Sequence, residues 1–182
     1  MEEKSKLLGA DTKKIHHVIQ GEYFVSDDPS IVLTTILGSC VATCLCDPVA
    51  RVGGINHFLL PNGDGKDGME FRYGILSMEL LVNGLLKMGA SKARLEAKIF
   101  GGAAMNNGLA RIGESNSQFA LSYLNNENIK CLSKSLGGSN ARRVRYVPTT
   151  GQAQQMLVSE QATDELNYSK KLAKVEPDVT LF

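Results

Sequence analysis

Ile31-Val-Leu-Thr-Thr-Ile36-Leu37-Gly38-Ser39-Cys40-Val41-Ala-Thr-Cys-Leu-Cys46-Asp47-Pro-Val-Ala50-Arg51-Val-Gly-Gly-Ile-Asn56-His57 decides the fold. Its first part, Ile31–Ile36, is an apolar run of strand length. Leu37-Gly38-Ser39-Cys40 interrupts it, with Gly38 suited to a turn. Val41–Cys46 is a second strand. Asp47-Pro48-Val49-Ala50 is a turn with proline at its favoured second position. A third strand runs from Arg51 to Leu60 and stops at Pro61.

The spacing across this turn brings a thiol and an imidazole together. A two-residue hairpin closed between Asp47 and Ala50 would set Cys40 directly opposite His57, on one face of the sheet. A bulge at Gly53-Gly54 would instead slip the register by one residue and turn His57 to the other face. Side by side, the two groups have a chemical use. A free thiol has a pKa of ~8.5, and a partnered imidazolium brings it to ~3.5–7.5. The thiolate attacks carbonyl carbon, and the imidazole returns the proton to a leaving nitrogen. Backbone N–H groups of the Gly38-Ser39-Cys40 turn, with the Ser39 hydroxyl, are candidate oxyanion donors.

Outward from this hairpin, Asn62–Gly68 has loop composition. Phe71–Met88 has helical spacing at Tyr73, Leu76 and Leu80, and then at Leu81, Leu85 and Met88; Gly89 is placed to cap it. Leu95, Ala97 and Ile99 alternate with Glu96 and Lys98 as in a half-buried strand. Gly101–Met105 is a glycine turn, and a second helix is expected from about Ser115 to Asn125. Strands near Ile129–Leu132, Arg142–Val147 and Gln154–Val158 close the pattern. Interleaved strands and helices give an α/β (α+β) layered sandwich, with mixed β-sheets and two main helices. Residues 1–17 read as a polar N-terminal extension, 18–158 as a single domain and 159–182 as a polar tail.

With 43% hydrophobic residues, 21% charged residues and a formal net charge of +1 over 182 residues, the chain can bury one core and is not a disordered segment. The near-neutral balance gives no general attraction to nucleic acid. Met78–Met88, the longest apolar stretch, is broken by Glu79, Asn83 and Lys87, so membrane insertion is not expected. The start carries acids and lacks a secretory core. Cysteines at 40, 44, 46 and 131 do not form a disulfide pattern, so reduced thiols in the cytoplasm are expected. A monomer is the default expectation.

Thr34-Thr-Ile-Leu-Gly-Ser-Cys40, Asp47-Pro-Val-Ala-Arg-Val-Gly-Gly54 and Asn56-His57-Phe-Leu-Leu-Pro61 together resemble the CheD family of chemoreceptor glutamine deamidases. The likeness continues through Arg72-Tyr73-Gly74, Met78-Glu-Leu-Leu81, Lys87-Met-Gly-Ala90, Arg94-Leu-Glu-Ala-Lys98 and Gly101-Gly-Ala-Ala-Met105, and covers about Gly21 to Val158. The resemblance implies a layered fold like that of bacterial toxins that deamidate glutamine. It implies Cys40 as nucleophile, His57 as base and Thr34 as third member, with Thr35 beside it as the alternative. It further implies hydrolysis of specific receptor glutamines through a thioester, with no metal or organic cofactor. The implied partners are methyl-accepting chemotaxis receptors as substrates and a CheC-type phosphatase, for which Gly101–Asn107 is the candidate surface. Asn106-Asn107 departs from the bulkier apolar residues of some members.

Three rival readings remain at this level. The first is another cysteine–histidine hydrolase, a peptidase or an amide transferase. The second is a zinc site from Cys40, Cys44, Cys46 and His57, although their spacing on strands puts the thiols in a row. The third is a non-catalytic chemotaxis adaptor. Cys44, Cys46 and Cys131 read more simply as core residues. His16-His17 reads as a solvated segment, Arg142-Arg143-x-Arg145 as a charged solvent face, and Asn56 as structural because alternation points it away from His57.

Overall fold

The computed structural model describes residues 13–60, 68–104 and 110–158. The elements are β1 (Lys14–His17), β2 (Tyr23–Ser26), β3 (Ile31–Leu37), β4 (Val41–Asp47), β5 (Val52–Asn56), α1 (Gly68–Lys87), β6 (Glu96–Gly101), α2 (Ala110–Asn126), β7 (Lys130–Leu136), β8 (Ala141–Val147) and β9 (Gln152–Val158). One sheet has the order β1-β3-β8-β9 and the other β2-β5-β4-β6-β7. Each is mixed: β1 runs parallel to β3 and β6 parallel to β7, while the remaining neighbours are antiparallel. The α+β class read from the sequence is the class found.

Strand alternation sorts the core into two compartments. Leu33, Leu37, Val144 and Tyr146 of the first sheet meet Ala42, Cys44, Cys46, Ile55 and Phe100 of the second. The opposite face of the second sheet, with Val41, Leu45, Ala97 and Ile99, is covered by Met78, Leu81 and Leu85 of α1 and Phe119, Ala120 and Leu124 of α2. The layers are therefore sheet, sheet, helices. The apolar side chains of both compartments are removed from water, which supplies the main drive for the stacking.

Several sequence expectations shift. Lys14–His17, within the expected loose extension, pairs in parallel with Ile31–Thr34. Tyr73, Leu76 and Leu80 do not join the buried face of α1; they are 38%, 55% and 40% exposed, whereas Leu81 and Leu85 are buried as expected, together with Met78. Helix α2 begins at Ala110, not near Ser115. The early turn holds Gly113, where a Cβ would stand 2.5 Å from the Gly102 carbonyl oxygen, so only glycine allows the helix to lie this close. Arg142 is not on a solvent face. It is buried, and its guanidinium donates to the carbonyls of Ser135 and Gly137. Gly89, at φ +93°, ends α1 as expected. The expected Asn62–Gly68 loop, apart from Gly68, and the 159–182 tail lie outside the described residues.

The hairpin that sets the site also differs. Asp47 pairs with Val52, Cys46 with Gly53 and Leu45 with Gly54, so the loop is four residues long, Pro48–Arg51. Asp47 builds it. Its carboxylate accepts from the N–H groups of Val49 (3.0 Å) and Ala50 (3.1 Å), and its carbonyl accepts from Arg51 N–H (2.8 Å). Arg51 closes the turn at φ +56°. No bulge interrupts Gly53-Gly54; a Cβ at Gly53 would stand 2.3 Å from the Pro148 carbonyl oxygen. The register is thus displaced by two residues from a two-residue hairpin. An even displacement keeps every side chain on its face.

Candidate active site

His57 follows β5, and the Val41–Phe58 bridge, with hydrogen bonds of 3.0 and 2.9 Å, carries the pairing past it. In this register Ala42 faces His57, and Cys40 is its diagonal neighbour, not its direct partner. Both still project on the side of Ile55, Ala42 and Cys44, into the gap between the sheets. Cys40 is half-buried and packs on the inter-sheet core, and His57 is 4% exposed. Asn56 points the other way, as expected. Its side chain donates to the Ser77 carbonyl (3.2 Å) beneath α1 and accepts from Thr43 N–H (2.9 Å).

Thr35, not Thr34, meets the imidazole. Thr35 Oγ1 lies 2.8 Å from His57 Nδ1 and 2.7 Å from the Val18 carbonyl oxygen. The carbonyl can only accept, so the single hydroxyl proton goes to Val18. The His57 Nδ1–H must then be the donor to Thr35. This fixes the neutral tautomer with its lone pair on Nε2, the form that accepts a proton from a thiol. The Thr34 hydroxyl instead donates to the Val144 carbonyl (2.9 Å). The reason is alternation: Leu33, Thr35 and Leu37 share the inter-sheet face of β3, and Thr34 lies on the reverse.

The backbone of the Gly38-Ser39-Cys40 turn is held from behind. Carbonyls of Gly38 and Cys40 accept from the N–H groups of Ala103 and Gly102, each at 2.8 Å. The Ser39 carbonyl accepts from Asn116 Nδ2 (3.1 Å), whose Oδ1 also accepts from Leu60 N–H (2.7 Å). Asn116 is fully buried on α2 and ties the turn to the end of the Arg51–Leu60 segment. The close fit needs two glycines: Gly101 at φ +119°, where a Cβ would stand 2.1 Å from the Cys40 carbonyl oxygen, and Gly102 at φ +65°. Sequence reading passed over Asn116. Its signal was a polar residue on the apolar face of α2, at helical spacing from Ala120 and Tyr123.

A turn that sequence reading also passed over clasps His57. The N–H of Gly21 donates to the His57 carbonyl (2.8 Å), and His57 N–H donates to the Glu22 carbonyl (2.9 Å). Gln20, on the same turn, accepts from the Cys40 thiol through Oε1 at 3.5 Å.

Burial disfavours the thiolate form of the other three cysteines. Burial raises Cys44 far above the ordinary thiol range. Burial, then the carboxylates of Glu96 and Asp47, pushes Cys46 up to about 11, and burial also raises Cys131. Among the described residues no group of three or more His, Cys, Asp or Glu side chains is arranged to hold a metal ion. No helix among them is long and apolar enough to cross a membrane.

A family model described as CheD chemotactic sensory transduction matches residues 59–156. A probable chemoreceptor glutamine deamidase CheD of Cereibacter sphaeroides is 56% identical over 144 residues, 79% of this chain and 72% of its own length. Another, from a second strain of that species, is 52% identical over 169 residues, 92% of this chain and 85% of its own. The protein of the same description from a Caulobacter species is 55% identical over 145 residues, 79% of this chain and 77% of its own.

Proposed function

We propose that this chain, which belongs to the CheD family, is a chemoreceptor glutamine deamidase that hydrolyses glutamine side chains of methyl-accepting chemotaxis proteins to glutamate and ammonia. Relatives above 50% identity carry that description. The observation that carries the chemistry is the Thr35–His57 hydrogen bond on the same inter-sheet side as the Cys40 thiol.

In this reading His57 Nε2 takes the Cys40 proton, and the thiolate attacks the amide carbon. The developing oxyanion is met by N–H groups of the Gly38-Ser39-Cys40 turn, whose carbonyls are committed to Ala103, Asn116 and Gly102 on the other side. His57 then protonates the departing ammonia, leaving a thioester on Cys40. Water gives a proton back to His57 and attacks the thioester, releasing glutamate and restoring the thiol. Thr35 holds the imidazole in its working tautomer throughout. The reaction converts one neutral amide to one carboxylate and uses this chain's own side chains.

The setting completes the proposal. The enzyme acts as a cytoplasmic monomer through its layered domain, and a CheC-type phosphatase is a further partner. Of the segment expected to meet that phosphatase, Gly101–Asn107, the residues Gly101, Gly102 and Ala103 are buried behind the Cys40 turn and are not surface, and residues 105–107 lie outside the described residues. Mass spectrometry of a receptor cytoplasmic fragment tests the activity. Incubation with the protein should convert specific glutamines to glutamate, and Cys40→Ala or His57→Ala should not. Conversion by the cysteine variant would overturn the proposal, and a new peptide terminus would mark proteolysis instead.

A further inference from the structure

One group that touches the Cys40 thiol is itself a glutamine. The Cys40 thiol donates to the carboxamide oxygen of Gln20 at 3.5 Å, and Gln20 is exposed. Its backbone is held on both sides. Ile19 N–H donates to the Glu22 carboxylate (3.1 Å), Gly21 N–H to the His57 carbonyl, and His57 N–H to the Glu22 carbonyl. Gly21 adopts φ +90°, which bends the chain sharply at this point. The turn therefore stays in place while the side chain keeps the freedom of an exposed glutamine.

A primary carboxamide beside the sulfur is the functional group that the proposed reaction consumes. Two carboxamides cannot share one thiol. A carbonyl oxygen that accepts from S–H also favours the protonated sulfur over the thiolate. We infer that the Gln20 side chain occupies the substrate-amide subsite as an internal surrogate: it covers Cys40 in the empty enzyme and swings aside when a glutamine side chain of the substrate enters. This rests on the deamidase reading for the identity of the incoming group; the cover over the thiol stands on the contact alone. Occupation of the subsite by Gln20 lowers the fraction of enzyme ready to bind, and apparent affinity falls in proportion.

Gln20→Ala and Gln20→Glu test this, with urea unfolding to show that both variants keep their fold. Iodoacetamide, a small reagent for thiols, reads the cover. Gln20→Ala should alkylate Cys40 about threefold faster than the parent or more, and Gln20→Glu should be slower, since a carboxylate beside sulfur opposes ionisation. With a receptor fragment, Gln20→Ala should lower KM by a similar factor and leave kcat within about twofold. Unchanged or slower alkylation in Gln20→Ala overturns the inference. So does a raised or unchanged KM, which would make Gln20 a contributor to substrate binding or a bystander. If the parent protein deamidates no receptor glutamine, the functional reading fails by itself, and the alkylation rates still decide whether Gln20 covers the sulfur.

Discussion

Thr35 of the first sheet reaches across to His57 of the second, with Oγ1 and Nδ1 2.8 Å apart and the hydroxyl proton given to Val18. Thr35→Ala should therefore lower kcat/KM about ten- to a hundredfold, a loss of ~1.4–2.7 kcal/mol of transition-state stabilisation. Thr35→Ser should retain most activity. Thr34→Ala, which removes only the bond to Val144, should stay within about threefold. Steady-state rates on a receptor fragment check this. The reverse order of the two alanine variants would return the third position to Thr34.

Asn116 satisfies two buried backbone groups, Leu60 N–H and the Ser39 carbonyl. An unsatisfied buried polar group costs ~1–3 kcal/mol, so Asn116→Ala should lose ~2–4 kcal/mol in urea unfolding. Asn116→Asp keeps the acceptor for Leu60 and removes the donor to Ser39. It also sets a buried carboxylate oxygen against the Ser39 carbonyl, so it should lose at least as much stability as Asn116→Ala, and activity should fall further in the folded fraction because the Gly38-Ser39-Cys40 turn loses its anchor.

The Gly101 position leaves no room for a methyl group, since the Cys40 carbonyl oxygen would lie 2.1 Å away. Gly101→Ala should cost ~2 kcal/mol or more from clash and strain together, with loss of activity in whatever remains folded. Thermal unfolding of this variant beside Gly68→Ala, where a Cβ meets nothing within 4 Å, separates the local effect from helix or strand propensity.

Asp47 is buried at the turn. Burial alone would raise its pKa, but Arg94 and the N–H groups of Ser91, Ala50 and Val49 outweigh it and hold the carboxyl well below the usual carboxylate range. A depressed folded-state pKa contributes stability that is present above the unfolded value of ~3.9 and is lost as pH falls through the folded value. Stability measured downward from neutral pH should start to fall near pH 4. Asp47→Asn should be less stable at neutral pH, and its stability should depend less on pH in the acid range.

The four thiols should separate into one fast and three slow. Cys40 is half-buried at the site, Cys44 and Cys46 are buried, and all three others are raised. Thiol titration with an aromatic disulfide in the native protein should show a single rapid equivalent, absent in Cys40→Ala. A rapid equivalent that persists in that variant would point to Cys131.

The long apolar runs were legible because burial on both faces leaves a continuous hydrophobic signal, as in Ile31–Leu37 and Val41–Cys46. The same continuity hid which threonine faces inward: Val32, Leu33, Thr34 and Thr35 are all buried, so composition does not mark the inter-sheet face. The hairpin register differs by two from the tight-turn expectation because Asp47 supports a longer loop through its carboxylate, a tertiary commitment shared with Arg94 and Ser91. β1 and β2 were missed because each is four residues long and largely unburied. Gln20 sits in a polar turn with no periodicity, and only the folded chain brings it to Cys40.

The His57 imidazole and the Thr35 hydroxyl that meets it belong to different sheets, and each sheet is assembled from segments far apart along the chain. A half-made molecule, with only one sheet built or the two not yet stacked, has an imidazole of arbitrary tautomer and an ordinary cysteine. In the proposed mechanism, reactivity toward amides therefore requires the two sheets to be stacked on each other.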